Sequence, residues 1–379
     1  MSSKLFTPIE IGNVTLPNRV YLGPMCQYSA VDGNMVDWHM AHLASMALSG
    51  AGLLTIEATA VRPVGRIGHG CTGLYNDENE AAMAKVIKLA RSVSDIPLGI
   101  QIGHAGRKAS CELPWAGRSF LAEDADPWVT EAPSAIPLTD GYPTPHALTK
   151  DEIKELRKDF VETTKRVVRL GLDYLELHGA HGYLLSTFMS PLSNQRDDEY
   201  GGSLENRMRL ALEVTEDVRA VWPKEKPLGM KINGSDFVDG GWTPEDAAVL
   251  AGELKGLGVD LVTVSGGGVD PKAKINVVPG YQLPFAEIVK KKSGITTACV
   301  GLITDAHQAE DAVASGKVDV VGMARGMLFN PRWAYHAAVA LGADLIYPVQ
   351  YERAGPNMWK PAATSIPPKL NIESQQKKR

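Results

Sequence analysis

Residues 228–265 read LGMKINGSDFVDGGWTPEDAAVLAGELKGLGVDLVTVS, and they decide the fold class. Leu228–Asn233 and Leu261–Ser265 are short, near-continuous apolar runs. A strand with one wet face alternates apolar and polar residues, whereas a run that is apolar at nearly every position is covered on both sides. Between the two runs, Pro244–Leu257 has helical period, opened by Thr243-Pro244, a capping residue followed by proline at the first helical position. Strand, helix and strand at this spacing make a parallel unit with the helix packed over the sheet.

The same alternation extends outward in both directions. The other apolar runs are Arg19–Met25, Gly52–Ala58, Leu98–Gly103, Asp173–His178, Thr296–Gly301 and Asp319–Met323. Helical stretches follow at Trp38–Ser49, Glu78–Ser94, Lys150–Leu170, Leu204–Val221, Pro284–Lys292, Asp305–Ser315 and Pro331–Leu341, with Thr149 and Thr304-Asp305 as further caps. Eight strand–helix pairs predict an α/β chain folded as one (β/α)₈ barrel. An open doubly wound sheet would carry a glycine-rich dinucleotide fingerprint after an early strand; here the first run leads into Pro24-Met25-Cys26-Gln27-Tyr28. Ile9–Leu16, with Gly12-Asn13 at its centre, reads as a hairpin capping the barrel floor. Ala105–Ala147 and Gly179–Ser203 are too long for simple connections, and both follow strands, on the face where barrel chemistry sits. Residues 1–353 form the barrel domain and 354–379 a C-terminal tail.

Composition narrows the function classes. The 379 residues are 44% hydrophobic and 22% charged, as in ordinary globular proteins, and the net charge is -5. That balance argues against nucleic-acid and anionic-membrane partners, and the longest basic run, Lys377–Arg379, is terminal. No apolar run approaches the ~18 residues of a membrane span, and the N-terminus lacks the pattern of a signal peptide. Cys26, Cys71, Cys111 and Cys299 show no paired spacing, so a reduced, cytoplasmic protein without a disulfide framework is expected.

The richest polar cluster is His178-Gly179-Ala180-His181-Gly182-Tyr183, just past the fourth strand. Two imidazoles three apart could ligate a metal or could donate hydrogen bonds to one substrate oxygen. Tyr183 is a plausible proton donor to a developing carbanion. Ordinary loop histidines satisfied by backbone are the bland alternative. The ends of the last three strands are small: Ser265-Gly266-Gly267-Gly268, Gly301, and Gly322-Met323-Ala324-Arg325-Gly326. Such ends let backbone N–H groups approach a phosphate, with Arg325 pairing to it, unless Arg325 pairs with a surface carboxylate. Gln101, Lys231 and Glu57 fall on strands and suit a polar heterocycle, or Lys231 and Glu57 form a structural ion pair. His39 and His42 read as helix-packing or helix-surface residues.

Four motifs taken together resemble the old yellow enzyme family. They are Pro24-Met25-Cys26-Gln27-Tyr28, Gln101 to Lys108, His178 to Tyr183, and Asp198 to Arg207. Cys26 and Gln350-Tyr351-Glu352-Arg353 are similar to its thermophilic-like bacterial subclass. The resemblance implies an FMN barrel that uses NADPH or NADH to reduce the activated C=C bond of α,β-unsaturated carbonyl compounds. Hydride goes to the β-carbon and a proton to the α-carbon. Carried over by position, His178 and His181 hold the substrate carbonyl, Tyr183 protonates, and Tyr28 helps position the substrate. Pro24, Met25, Cys26, Ala58, Gln101, His178 and the Lys231 position line the flavin ring, with Cys26 tuning its potential. Gly301, Ala324 and Arg325 take the phosphate. Arg353 matches an arginine that reaches a neighbouring subunit's site, which implies a homodimer or homotetramer. The resemblance implies no metal, and a metal-dependent barrel hydrolase using His178 and His181 is the competing reading. The family usually has arginine at the position of Lys231, and its pattern ends near Arg353, 26 residues before this chain does.

Overall fold

A computed structural model describes residues 3–117 and 119–363; Arg118 and the end of the expected tail, 364–379, lie outside the described residues. The chain opens with the antiparallel hairpin β1 (Ile9–Ile11) and β2 (Val14–Leu16). Eight strands then form a closed, all-parallel barrel: β3 (Val20–Leu22), β4 (Leu53–Ala60), β5 (Leu98–Gly103), β8 (Tyr174–Gly179), β9 (Leu228–Asn233), β10 (Leu261–Ser265), β11 (Thr297–Cys299) and β12 (Val320–Met323). Each strand coincides with one of the eight apolar runs. The two-residue strands β6 (Glu131–Ala132) and β7 (His146–Ala147) pair within the long connection after β5.

The outer layer is α1 (Asp37–Ala47), α2 (Asp77–Val93), α3 (Lys150–Arg169), α5 (Leu204–Val221), α6 (Pro244–Gly256), α7 (Leu283–Ser293), α8 (Ala306–Ala314) and α10 (Trp333–Ala340). Two short helices, α4 (Leu184–Met189) and α9 (Arg325–Phe329), stand at the ends of β8 and β12. The expected caps close the expected helices. Thr149 and Thr243 form capping boxes with Glu152 and Asp246, and Asp305 accepts from His307 and Gln308. Each such cap contributes about 1 kcal/mol.

The period of two in β8 sorts the core. Leu175 and Leu177 point outward with Ile100, Ile102, Met230 and Val262 into the layer shared with Met83, Phe160 and Leu250 of the helices. Tyr174, Glu176 and His178 point into the barrel. At the bottom Tyr174 joins Tyr21, Leu53, Leu261, Ala298 and Val320, covered by Ile11 and Leu16 of the hairpin. The hairpin is thus the floor cap that the sequence implied. Gly229 makes room for the Tyr174 ring, since a Cβ there would meet its Oη at 1.8 Å.

Of the residues past Gly355, read from the sequence as part of a tail, those as far as Ala363 are described. Val349–Ala354 and Lys360–Ala363 form 3₁₀ turns, and Gly355 is buried against Tyr347, which stacks on Tyr335 of α10 with ring centroids 4.4 Å apart. Among the described residues, no helix is long and apolar enough to cross a membrane.

Candidate active site

The C-terminal ends of the strands gather almost every polar residue singled out from the sequence. His178 is the last inward position of β8 and is 5% exposed. Its Nδ1 accepts the Ala180 N–H at 3.2 Å, which places the ring proton on Nε2. His181 follows in the left-handed region at φ 63°, held there by its N–H donating to Asn233 Oδ1 at 3.0 Å. The two imidazoles meet edge to face at 5.2 Å, and the Tyr183 ring meets His178 at 4.8 Å. Burial depresses both imidazoles, with help from Lys231 and Lys108: His178 lies well below the usual histidine range and His181 at about 3. Both are therefore neutral at physiological pH, and His178 is an Nε2–H donor. His181 Nε2 lies 2.7 Å from Ser265 Oγ, a partner that the sequence reading did not give it.

Tyr183 sits at the N-cap of α4, its N–H donating to Ala180 O at 3.2 Å. Lys108 donates to His181 O at 2.7 Å and to Gly268 O at 3.0 Å, with its Nζ 5.3 Å from the Tyr183 ring centre. A cavity of about 20 Å³ adjoins His178 and Tyr183, lined among others by Ala58, Cys71, Gly103 and His104. A larger groove of about 760 Å³, between the outer helices α2 and α3, contains none of these groups.

Glu57 and Lys231 do not pair, contrary to the ion pair considered from sequence. A β-bulge in β4 between Ile56 and Ala58 explains why: it inserts one residue and turns Glu57 out of the barrel. Glu57 instead faces His39 of α1, Oε1 to Nε2 at 3.3 Å, and its Oε2 accepts the Gln27 N–H at 2.8 Å. His39 is thus a buried packing residue, and His42 lies half-buried on the same helix. This arrangement pins the loop carrying Pro24, Met25, Cys26 and Tyr28. Beyond the bulge, Ala58 comes into register with Gln101. Lys231 pairs instead with Glu176 at 3.6 Å, and Gln101 donates to the same carboxylate at 2.6 Å.

Cys26 and Cys71 pack in one cluster with Tyr28 and Tyr183. Cys71 beside it, then burial, pushes the Cys26 thiol well above the usual range, so Cys26 is protonated at neutral pH. Tyr28 adopts φ 51°, and its ring meets Trp115 edge to face at 6.2 Å.

The small-residue ends form a cradle suited to a phosphate. Gly301 has φ 117°, and a Cβ there would come within 2.9 Å of Gln282 Oε1. Ala324 caps α9, whose first N–H groups point out of the helix end. Arg325 is exposed and makes no ion pair with a carboxylate among the described residues, so the surface-pair alternative does not hold. Backbone donors, a free guanidinium, and Gln101 with Lys231 on the barrel interior fit FMN. Arg353 is not brought to this cluster by its own chain; it is exposed on the 3₁₀ turn packed near α10. The metal reading finds no third ligand, for no group of three His, Cys, Asp or Glu among the described residues could hold an ion.

Sequence reasoning missed Glu176 and Asn233 as site residues, and it gave no individual role to Ser265, Arg107 or Lys108, which it quoted only within longer motifs. Arg107 is 5% exposed and donates to Val269 O at 2.6 Å and Ile136 O at 3.1 Å, stitching the long connection after β5 to the loop after β10. His104 and Glu131, 2.9 Å apart, anchor the same connection. The alternation Tyr174-Leu175-Glu176-Leu177-His178 was the available signal for Glu176.

The chain belongs to the NADH:flavin oxidoreductase / NADH oxidase family, whose model matches residues 4–342, and so to the old yellow enzymes that its motifs resemble. It is 42% identical over 355 residues to the NADPH dehydrogenase of Geobacillus thermodenitrificans, covering 93% of this chain and 99% of that protein. With the NADPH dehydrogenase of Bacillus subtilis the identity is 40% over the same shares. A NADH:flavin oxidoreductase of Gibberella zeae is 42% identical, covering 91% of this chain and 87% of that one. Among solved structures, morphinone reductase in complex with tetrahydroNAD superimposes with TM-score 0.71 at 26% identity, over 97% and 98% of the two chains. A 2-naphthoyl-CoA reductase complex gives TM-score 0.79 at 24% identity over 90% of this chain; the chain spans about half, 52%, of that structure, and the likeness shows the fold alone. The protein is an oxidoreductase that uses FMN and NAD(P)H.

Proposed function

We propose that the protein is an ene-reductase, reducing the activated C=C bond of α,β-unsaturated carbonyl compounds. The carrying observation is the neutral His178, whose Nδ1 is occupied by Ala180, beside His181 and Tyr183 at the end of β8. Bound FMN supplies hydride chemistry and draws it from NAD(P)H. His178 Nε2–H, with His181 beside it, holds the carbonyl oxygen where negative charge develops, and a neutral donor in a buried site stabilises that charge without solvent reorganisation. Tyr183 gives the proton to the α-carbon. Tyr28 positions the substrate from the opposite loop.

Pro24, Met25, Cys26, Ala58, Gln101, His178 and Lys231 line the flavin ring in this reading, and Gly301, Ala324 and Arg325 hold the phosphate. The cradle at Gly301 and the unpaired Arg325 support the second assignment. Arg353 serves a neighbouring copy's site within a homodimer or homotetramer in the cytoplasm; its exposure away from its own site supports this. The barrel domain ends near residue 353, and the ordered turns beyond it belong to the tail. The metal-dependent hydrolase is not favoured.

The test is a spectrum of the purified protein followed by anaerobic NADPH-driven turnover of cyclohexenone. A flavin spectrum and the saturated ketone are expected, and Arg325→Ala should shed FMN on dialysis. A colourless protein that cannot be reconstituted with FMN would overturn the reading.

A further inference from the structure

We infer that Glu176 is a positioning residue that sets the charge Lys231 presents to the flavin; this rests on the flavin reading above. Glu176 is 0% exposed, at the middle inward position of β8, one layer below His178. Its two oxygens have separate duties. Oε2 faces the floor and takes Thr263 Oγ1 at 2.9 Å, Tyr21 Oη at 3.1 Å and Tyr174 Oη at 3.4 Å. Oε1 faces the mouth, accepts from Gln101 Nε2 at 2.6 Å and forms an ion pair with Lys231 Nζ at 3.6 Å. Gln101 and Lys231 are, with His178, the polar side chains of the barrel interior assigned to the flavin ring. The hydroxyls below fix the carboxylate, and the carboxylate fixes both groups above.

A buried carboxylate would not stay charged without such donors. Burial first and Glu176 second hold Tyr21 and Tyr174 well above the usual phenol range, so both keep the O–H that Oε2 accepts. A charge at this depth also acts on whatever lies above Lys231. Two-electron reduction places negative charge on the flavin's pyrimidine edge, which a cation stabilises and an anion opposes. Glu176 therefore offsets Lys231 and keeps the bound flavin's potential lower than the lysine alone would set it. Lysine has no fork to hold its own orientation, so the site depends on the carboxylate more than an arginine site would.

The experiment measures the midpoint potential of FMN-loaded wild type, Glu176→Gln, Lys231→Gln and the double variant by dye equilibration, with FMN affinity titrated separately. Glu176→Gln should raise the potential, favouring reduced flavin about tenfold, or ~30 mV for two electrons. Lys231→Gln should lower it, and the double variant should fall near wild type. A merely structural glutamate would alter stability or FMN affinity without these opposite signs. An unchanged potential in FMN-loaded Glu176→Gln, or two single variants shifting the same way, overturns the inference. Should Glu176→Gln fail to fold, Tyr21→Phe carries the test. It removes one of the donors that keep the carboxylate charged, far from the flavin, and should raise the potential in the direction of Glu176→Gln, favouring reduced flavin about twofold; no change or a fall overturns the inference. Wild-type protein that binds no FMN would instead mean that the flavin reading itself is wrong.

Discussion

The barrel's two ends are built by opposite rules. At the floor, Tyr21, Leu53, Tyr174 and Leu261 fill the interior, the hairpin covers them, and turns needing a positive φ use glycine, as at Gly171 and Gly258. Among the described residues, seven non-glycine residues at the mouth adopt positive φ: Tyr28, Asp32, Ser110, Asp126, His181, Phe237 and Leu302. All seven lie on loops that follow barrel strands. Such conformations cost of order 1 kcal/mol each and persist only where surrounding contacts over-determine them. The floor therefore holds the fold together, and the mouth spends stability on placing side chains.

Changes at the two ends should break different observables. The largest effect is expected at the mouth, where Tyr183→Phe should slow re-oxidation of the enzyme by an enone about 10²–10⁴-fold and leave reduction by NADPH nearly unchanged. Stopped-flow kinetics of the two half-reactions checks this, and equal slowing of both would make Tyr183 a structural residue. At the floor, Leu53→Ala should cost about 3 kcal/mol in urea unfolding, with turnover per folded molecule preserved.

Acid should act on stability through the mouth. His181 titrates at about 3 in the folded protein and near the ordinary ~6.5 when unfolded, so the unfolded chain binds more protons between those values. Stability from this group is present above pH ~6.5 and is lost as pH falls towards 3. His181→Asn should flatten that loss by up to about 1.4 kcal/mol per pH unit, read from unfolding midpoints across the window. The smallest effect belongs to Asp126, exposed at φ 52°. Asp126→Gly should raise stability by about 0.5 kcal/mol, and a loss would show that its conformation is not strained.

The same contrast explains what was legible in the sequence. Strands buried on both faces announce themselves as apolar runs, and Thr149, Thr243 and Asp305 mark helix starts by local chemistry. The hairpin was legible from Gly12-Asn13 between two short apolar patches. The helices α4 and α9 and the pair β6–β7 were not, because elements of two to six residues take their stability from tertiary contacts. At the site, His178, His181 and Tyr183 were legible as a compact motif, whereas their supports Ser265, Asn233 and Lys108 come from distant segments. Glu57 was misplaced for a definite reason: the bulge after Ile56 reverses the alternation by which Glu57 would have faced Lys231. Glu176 took that place from the neighbouring strand.

In the proposed reaction the β-carbon of an enone takes hydride at the mouth while the imidazoles there hold its oxygen. NADPH deuterated at its transferable hydride position, turned over anaerobically with cyclohexenone, tests this directly. Cyclohexanone carrying deuterium on the β-carbon, seen by NMR and mass spectrometry, is expected. An allylic alcohol with deuterium on the former carbonyl carbon would contradict it.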